Sequence, residues 1–206
     1  LRDKHPGVML LYRIGDFYET FFDDAVKINR LIGLTLTKRG TFQGKPIPMA
    51  GIPAATLEQY LARLVKLGVS VAICEQIGDP NEPGKATMDR KIVRIVTPGT
   101  LTDNALLSEK SDSVLLAVAR IGRSATANLG LVWLTLTNGR FCAASIAPQN
   151  LATELARITP SEILVPAEFR ETVQGAAAET AVNEMPAWYF DAERGRALLK
   201  EAVRVE

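Results

Sequence analysis

Few side chains in this 206-residue sequence have the chemistry of an enzyme or a metal centre. His5 is the only histidine, which removes His-based acid–base catalysis and most transition-metal sites from the rest of the chain. A Ser-His-Asp triad would have to use His5, and no motif flanks it. Cys74 and Cys142 are far apart and each lies in an apolar run, so we expect two small buried side chains in a reducing compartment and no metal site.

A stretch rich in glycine and proline at residues 78–85 has a partial likeness to a nucleotide-binding P-loop. It has one residue too many between its two glycines, and Ala86 stands where a Ser or Thr would bind magnesium. Two of its residues are prolines, which have no amide hydrogen to donate to a phosphate. The sequence therefore does not predict a nucleotide hydrolase in this segment.

The composition is that of a folded protein, with 47% hydrophobic and 23% charged residues, enough for one large or two small cores. No apolar run approaches the roughly 20 residues that span a bilayer, and the start has no signal-peptide pattern. We therefore expect a cytoplasmic protein with no membrane partner.

The net charge of +1 hides an asymmetry between the two halves. Residues 1–100 have fourteen Lys and Arg against ten Asp and Glu, whereas residues 101–206 have ten against thirteen. A polyanion, if one binds, is expected to meet the first half. A chance imbalance on solvated surfaces explains the same numbers equally well, so charge alone does not decide.

The first half is predicted to alternate strands and helices. An apolar run at residues 8–14 has the composition of a strand and stops at Gly15. Asp16 has the side chain of an N-cap, and with Glu19 three positions later it predicts the start of a helix. The apolar residues that support this helix recur at helical spacing: Phe17, Phe21, Ala25, Ile28 and Ile32.

The rest of this half continues the alternation. Residues 34–37 are predicted as a strand, and residues 39–48, with two glycines and two prolines, as a loop. Thr56 is predicted to cap a second helix that stops at Gly68. Two more strands are predicted at residues 69–74 and 92–96, on either side of a turn-rich segment at residues 78–84.

The chain changes character around residues 98–100, and residues 101–113 are predicted as a polar-flanked short helix or linker, within which we place the domain boundary. Beyond it three strands are predicted, the last two joined by Asn138-Gly139, a strong hairpin signal. A helix with Leu151, Leu155 and Ile158 on one face, a strand and a closing helix complete a layered α/β pattern. The remaining predicted elements lie at residues 114–119, 129–136, 140–146, 162–165 and 192–203.

Five sequence blocks occur in one order in the first half. They are YRIGDFYE at 12–19, TLTKRG at 35–40, PMAGIP at 48–53, AICEQIGDP at 72–80 and RIVTPGT at 94–100. Together they resemble the domain that opens the bacterial MutS family of DNA mismatch-repair proteins. The likeness is dense from His5 to Leu107, and beyond that it rests mainly on the layout of elements, which resembles the connector domain of the same family.

This resemblance implies two α/β domains of layered sheet and helix. Residues 1–107 would be a mismatch-recognition domain with a mixed sheet and flanking helices, and residues 108–206 an RNase H-like connector domain. Family members are several times longer and add lever, clamp and ATPase domains, so the resemblance implies an N-terminal fragment that is not itself an enzyme. It also implies that ATP and Mg belong to the full-length protein and that this part has no cofactor.

The family reaches the minor groove of kinked DNA with a Phe-x-Glu pair, which matches Phe17 and Glu19. A wedge between base pairs costs a few kcal/mol of unstacking, and least where the step is already mispaired. Glu19 in the family contacts the mismatched base, and a hydrogen bond to a base N7 would require this carboxyl to be protonated. On pattern alone Phe17 would be a core residue and Glu19 a capping residue, and the motif match reverses both interpretations.

Four more residues are candidates for DNA contact by the same resemblance. Lys38 and Arg39 follow a predicted strand beside a glycine-rich loop, where either a phosphate contact or a solvated loop is expected. Pro48 and Met49 are candidates to line the groove, although a Met such as Met49 more often fills a gap in a core than it contacts a groove. The chain has Ala54-Ala55 where many family members have a bulky residue followed by His or Arg, so a backbone contact made there in relatives is absent.

An RNase H-like second half raises the question of nuclease activity, which needs clustered Asp and Glu for two divalent metals. The predicted strand at residues 129–136 has no carboxylate, and Thr135 stands where relatives often have Asp. The resemblance implies instead that this half docks a MutL-type partner and relays the DNA state to the ATPase. Trp133 and Trp188 are candidate anchors, with core packing expected for Trp133. The other implied partners are double-stranded DNA with mismatches or small loops and, in the full-length protein, a second MutS.

Overall fold

A computed structural model of the protein describes residues 5–77, 89–100, 113–122, 124, 127–177 and 180–203. The chain divides into two compact units, Leu1–Lys110 and Ser111–Glu206. The predicted boundary between residues 107 and 108, most of the predicted linker and the turn-rich segment at 78–84 lie outside the described residues.

The first unit is built on a six-stranded mixed sheet in the order β3-β4-β2-β1-β5-β6. Strands β1 and β5 run parallel, and the other neighbours are antiparallel. Its strands are β1 (Met9–Ile14), β2 (Phe17–Phe21), β3 (Thr37–Phe42), β4 (Lys45–Pro53), β5 (Val71–Ile77) and β6 (Asp89–Val96), and its helices are α1 (Phe22–Ile32) and α2 (Leu57–Lys66).

The core of this unit lies on the sheet face that both helices cover. Alternate strand residues such as Leu11, Tyr18 and Ile52 point into it and meet Ile28 of α1 and Leu61 of α2. A smaller buried cluster of Leu10, Ala72 and Cys74 lies apart from it, formed by the intervening residues of β1 and β5. The period of two along β2 therefore places Tyr18 towards the helices and Phe17 and Glu19 on the other face.

The prediction of a helix that begins at Asp16 is wrong for residues 16–21. Asp16 lies in the turn between β1 and β2, residues Phe17–Phe21 form strand β2, and α1 begins only at Phe22 with Phe21 as its N-cap. Helical spacing of the aromatic residues is compatible with either structure over so few residues. These residues form a strand and not a helix because they pair with a strand on each side, β1 and β4.

The loop predicted at residues 39–48 is also wrong, because this region is the β3–β4 hairpin. Gln43 and Gly44, both with positive φ, form its two-residue turn between Phe42 and Lys45. The prolines of this segment fit a strand because β2 pairs only with residues 49–53 of β4, so the first part of β4 has a partner on one side alone. The predicted strand at 34–37 begins instead at Thr37.

The second unit is a five-stranded sheet in the order β11-β10-β7-β8-β9. Strands β7, β8 and β9 form an antiparallel meander, and β10 runs parallel to both β7 and β11. This arrangement agrees with the RNase H-like fold class expected for the connector half. The elements are β7 (Val114–Arg120), β8 (Leu129–Thr135), β9 (Arg140–Ile146), α3 (Leu151–Ile158), β10 (Glu162–Pro166), α4 (Arg170–Ala176), β11 (Ala181–Met185) and α5 (Ala192–Val203).

The second core confirms the helix face predicted from spacing. Leu151, Leu155 and Ile158 of α3 are buried against residues such as Leu116 and Ile163 of the sheet. Helix α4 and strand β11 were not predicted by the sequence analysis. No helix among the described residues has both the length and the apolar character needed to cross a membrane.

Candidate nucleic-acid interface

Phe17 lies at the tip of the β1–β2 hairpin. Its register partner Ile14 is the last residue of β1, so only Gly15 and Asp16 separate them. Gly15 has a φ of +58°, a conformation that glycine adopts without a steric penalty, and this permits the tight turn. Phe17 is 46% exposed, so the aromatic ring is presented at the edge of the sheet and is not a core residue.

Gly51 of the neighbouring strand β4 lies beside this ring. It is the register partner of Glu19, and a Cβ atom built on it would lie 3.6 Å from Cδ1 of Phe17 and 3.9 Å from Cγ of Glu19. Phe17 and Glu19 thus flank a position that has no side chain. This brings the aromatic ring and the carboxylate together on one face of the hairpin.

Glu19 is only 7% exposed and is held by Arg39. Nη1 of Arg39 donates to both carboxylate oxygens, at 2.6 Å to Oε1 and 2.5 Å to Oε2. The Arg39 side chain remains 51% exposed. The buried carboxylate is therefore neutralised by a cation that still faces solvent.

A β-bulge in β3 accounts for the direction of Arg39. Lys38 pairs with Pro48 and Thr41 with Pro46, so Arg39 and Gly40 together oppose one residue of β4. Gly40 has a φ of +70°, which glycine alone adopts freely. A bulge bends its strand and changes where a side chain points, and here it accompanies the contact of Arg39 with Glu19, two strands away.

The other candidate residues lie on the β3–β4 hairpin. Lys38 is exposed on β3, while Pro48 and Met49 are half-buried on β4. Met49 is the register partner of Phe21, and its carbonyl oxygen accepts a hydrogen bond of 3.1 Å from Oγ1 of Thr37. The structure thus gathers Phe17, Glu19 and Arg39 and leaves Lys38 as a solvated cation beside them.

The helix-facing side of the β1–β2 hairpin holds a polar cluster. The Tyr18 hydroxyl donates a hydrogen bond to Oε1 of Glu75 on β5, and the Arg13 guanidinium carbon lies 5.2 Å from the centroid of the Tyr18 ring. Burial, followed by the hydrogen bond to Glu75, raises the pKa of Tyr18 above its usual range. This cluster ties β2, β1 and β5 together behind Phe17 and Glu19.

The second unit offers no arrangement for two-metal chemistry in its described part. Thr135 is buried near the end of β8, which has no carboxylate. Glu162 on β10 is buried and accepts a 2.8 Å hydrogen bond from Nδ2 of Asn183. Among the described residues no three His, Cys, Asp or Glu side chains come together in a way that could hold a metal ion.

Comparison with protein families decides the assignment. The family model described as MutS domain I matches residues 1–105, and that described as MutS domain II matches residues 113–206. The chain belongs to the MutS family. The two matches confirm the resemblance carried by the five blocks, and they confirm that the second half is the connector domain of the same family.

Membership in the MutS family places the chain in DNA mismatch repair and identifies it as a DNA-binding protein. Neither matched domain is the ATPase domain of the family. The ion pair between Glu19 and Arg39 was not predicted from the sequence. The available signal was Gly40, since a glycine inside a strand pattern often marks a bulge.

Proposed function

We propose that this MutS chain detects mispaired or unpaired bases by inserting the Phe17 ring into the minor groove of double-stranded DNA. The observation that carries the proposal is the exposure of Phe17 at the tip of a two-residue turn. A buried aromatic at this position would leave nothing to insert. An exposed one on a loose loop would lack the support that β2 receives from two neighbouring strands.

The energetics favour recognition of deformability over recognition of base identity. Separating a base step costs a few kcal/mol, and the cost is lower at a mismatch, where pairing and stacking are already weakened. Stacking a base on an aromatic side chain returns about 1–3 kcal/mol whatever the base. One exposed ring can therefore insert at many different mismatches and small loops, whereas insertion into well-stacked duplex is too costly.

The neighbours of Phe17 have supporting roles in this proposal. Glu19 tests the displaced base, and it disfavours matched DNA, where no base is displaced to meet it. Lys38 and Arg39 contact backbone phosphates, and Pro48 and Met49 line the groove. None of these contacts distinguishes sequence, which suits a protein that must survey every base step.

Fluorescence anisotropy with short labelled duplexes tests the proposal. Binding by this chain is expected to be weak, because it has one wedge and few cations, so low salt is required. Phe17→Ala should reduce affinity for a duplex with one mismatch by at least about fivefold, the lower end of one lost stacking interaction, and leave the matched duplex unchanged. Equal losses on both duplexes would contradict insertion at the mismatch.

The connector half is proposed to relay the DNA state to the ATPase domain and to dock a MutL-type partner. Trp188 and Tyr189 are both about half exposed, and their rings stack at a centroid distance of 3.9 Å. The Arg194 guanidinium lies 4.7 Å from the centroid of the Trp188 ring. Exposed, mutually supported aromatic and arginine side chains are typical anchors of protein interfaces.

Trp133 has a different environment, half-buried against the second core with the Arg157 guanidinium 5.4 Å from its ring centroid. Trp188→Ala should therefore weaken binding of a purified MutL-type partner, whereas Trp133→Ala should mainly lower stability. In the complete protein we place ATP and Mg in the ATPase domain, and we expect the full-length protein to associate with a second copy of itself. Since the proposed ligand is bacterial genomic DNA, the proposed site of action is the cytoplasm.

A further inference from the structure

We infer that Arg39 sets the DNA selectivity of Glu19 by exchanging one anionic partner for another. In the free chain the Arg39 guanidinium neutralises the Glu19 carboxylate, and on mismatched DNA it moves to a backbone phosphate while Glu19 turns to the displaced base. This inference rests on the proposed function, which it deepens by making the ion pair the source of discrimination against matched duplex.

The geometry of the Glu19–Arg39 ion pair is suited to an exchange in which Arg39 leaves the carboxylate for a phosphate. Both hydrogen bonds come from one nitrogen of Arg39, Nη1, and not from the two-nitrogen fork that gives the strongest pairing with a carboxylate. About half of the Arg39 side chain faces solvent, from which a phosphate can approach. The carboxylate, in contrast, is almost fully buried.

The local backbone is arranged for this contact. The bulge at Arg39 and Gly40 costs strand pairing in β3, and Gly40 has the left-handed conformation that other residues adopt only with strain. Lys38, the adjacent cation on the same strand, lies outside the bulge and pairs with Pro48. The strand thus presents two neighbouring cations and directs one of them to Glu19.

The exchange explains how the Glu19 carboxylate can disfavour matched duplex without contacting any base of that duplex. Duplex DNA of any sequence brings closely spaced phosphates that compete for Arg39. If Arg39 leaves while bound DNA covers this face, the Glu19 carboxylate is shielded from water without its cation, which is strongly unfavourable unless another donor replaces it. A displaced base can turn its Watson–Crick N–H donors to the carboxylate, whereas in a stacked base pair those donors are already used for pairing. On matched duplex Arg39 therefore stays with Glu19, and one phosphate contact is lost.

The competing explanation is that Glu19 repels DNA directly, without Arg39. The two mechanisms differ in whether the effect of Glu19 depends on Arg39. We therefore propose a double-mutant cycle in the 206-residue chain with Glu19→Gln, Arg39→Gln and the double variant, binding a matched duplex and a duplex with one unpaired base at several salt concentrations.

The expected result has two parts. Glu19→Gln alone should raise affinity for matched duplex about tenfold, the size of one charge-assisted hydrogen bond, because it frees Arg39. It should also steepen the salt dependence on matched duplex by about 0.9 in the slope of log K against log salt, which corresponds to one added phosphate contact. In the Arg39→Gln background both effects should disappear.

Lys38→Gln is the matched control, because it removes a neighbouring cation of the same strand that lies outside the pair. It should lower affinity, but Glu19→Gln should keep its full effect in that background. Melting curves of all variants establish that each is folded at the assay temperature, and any variant that is not is replaced by Arg39→Lys or Glu19→Asp, which weaken the pair and keep the charge.

Each outcome bears on one of the two claims. Loss of the Glu19→Gln effect in the Arg39→Gln background, with the Lys38→Gln background unaffected, supports the exchange. Equal Glu19→Gln effects in all backgrounds would overturn the exchange and leave the proposed function standing. A wild-type chain that binds neither duplex, even in low salt, would overturn the proposed function and the exchange with it.

Discussion

Tyr18 and Glu75 are joined by a hydrogen bond that crosses the strand between them. Tyr18 is on β2 and Glu75 on β5, with β1 lying between the two in the sheet. Arg13 of β1, the register partner of Tyr18, lies against the Tyr18 ring. The hairpin that presents Phe17 is thus fixed to the centre of the sheet from its buried side, which holds in place the strand that carries the exposed ring.

The Tyr18–Glu75 bond predicts a loss of stability in alkaline solution. Burial and the Glu75 hydrogen bond raise the pKa of Tyr18 in the folded chain above its unfolded value of about 10. The folded state therefore holds this proton more tightly, and its contribution is present below pH about 10 and lost as pH rises through the folded pKa. Urea unfolding at increasing pH should show a steeper decline for wild type than for Tyr18→Phe.

At neutral pH the same substitution should cost about 1–2 kcal/mol, because Glu75 loses a donor. Tyr60→Phe on α2 is the matched control, since it removes a hydroxyl without touching the Tyr18–Glu75 bond. A parallel decline with pH for wild type and Tyr18→Phe would mean that Tyr18 does not contribute to the alkaline loss.

The two cysteines should differ in reactivity. Cys74 is fully buried, and burial raises the pKa of its thiol, so little reactive thiolate forms. Cys142 is only partly buried, so the prediction of two buried cysteines is wrong for this residue, which lies on the edge strand β9. Iodoacetamide should therefore modify Cys142 first in the folded chain, as followed by mass spectrometry of the peptides, and both residues at similar rates in denaturant. Faster modification of Cys74 in the folded chain would show that its strand is accessible.

Limited proteolysis should cut the chain into two pieces of about one hundred residues, because the chain divides into two compact units with separate cores. We predict cleavage within residues 101–113. Gel electrophoresis and mass spectrometry of the products locate the cuts. Early cleavage within either unit, with no stable half remaining, would argue against independent folding.

Phe17 and Leu11 should respond differently to truncation. Phe17 is about half exposed, so Phe17→Ala should lower the free energy of unfolding by less than about 1 kcal/mol. Leu11 is fully buried in the first core, and Leu11→Ala should cost about 2–5 kcal/mol. Urea unfolding of both variants measures the difference. A Phe17→Ala chain as unstable as Leu11→Ala would make Phe17 a core residue.

Secondary structure was predicted correctly where the pattern of apolar residues fits a helix or a strand but not both. Helix α3 and strands β7 and β8 were predicted because buried residues recur along them, and β9 because Asn138-Gly139 marks the turn that joins it to β8. Residues Phe17–Phe21 were misassigned because their spacing fits a helix as well as a strand, and pairing with β1 and with β4, which is far along the chain, selects the strand. Short-range periodicity does not contain that information.

The exposed hairpin was missed for a related reason. Every residue of β3 is exposed, so the strand has no buried face and leaves no alternating pattern in the sequence. Strand β11 is short and has only Val182 buried. Within the candidate site, Phe17 and Glu19 were predicted from the family motif, whereas the contact of Arg39 with Glu19 depends on a bulge and a tertiary arrangement that spacing does not specify.

Base unstacking, followed by the fluorescence of 2-aminopurine, is the most direct test of the claim that Phe17 inserts at a mismatch. The analogue is placed beside the mispaired base, where its emission rises as it loses its stacking neighbours. Saturating wild-type chain in low salt should raise the emission of the mismatched duplex and have little effect on the matched one, whereas saturating Phe17→Ala should leave both at the level of free DNA. An equal rise with wild type and Phe17→Ala would contradict insertion by Phe17.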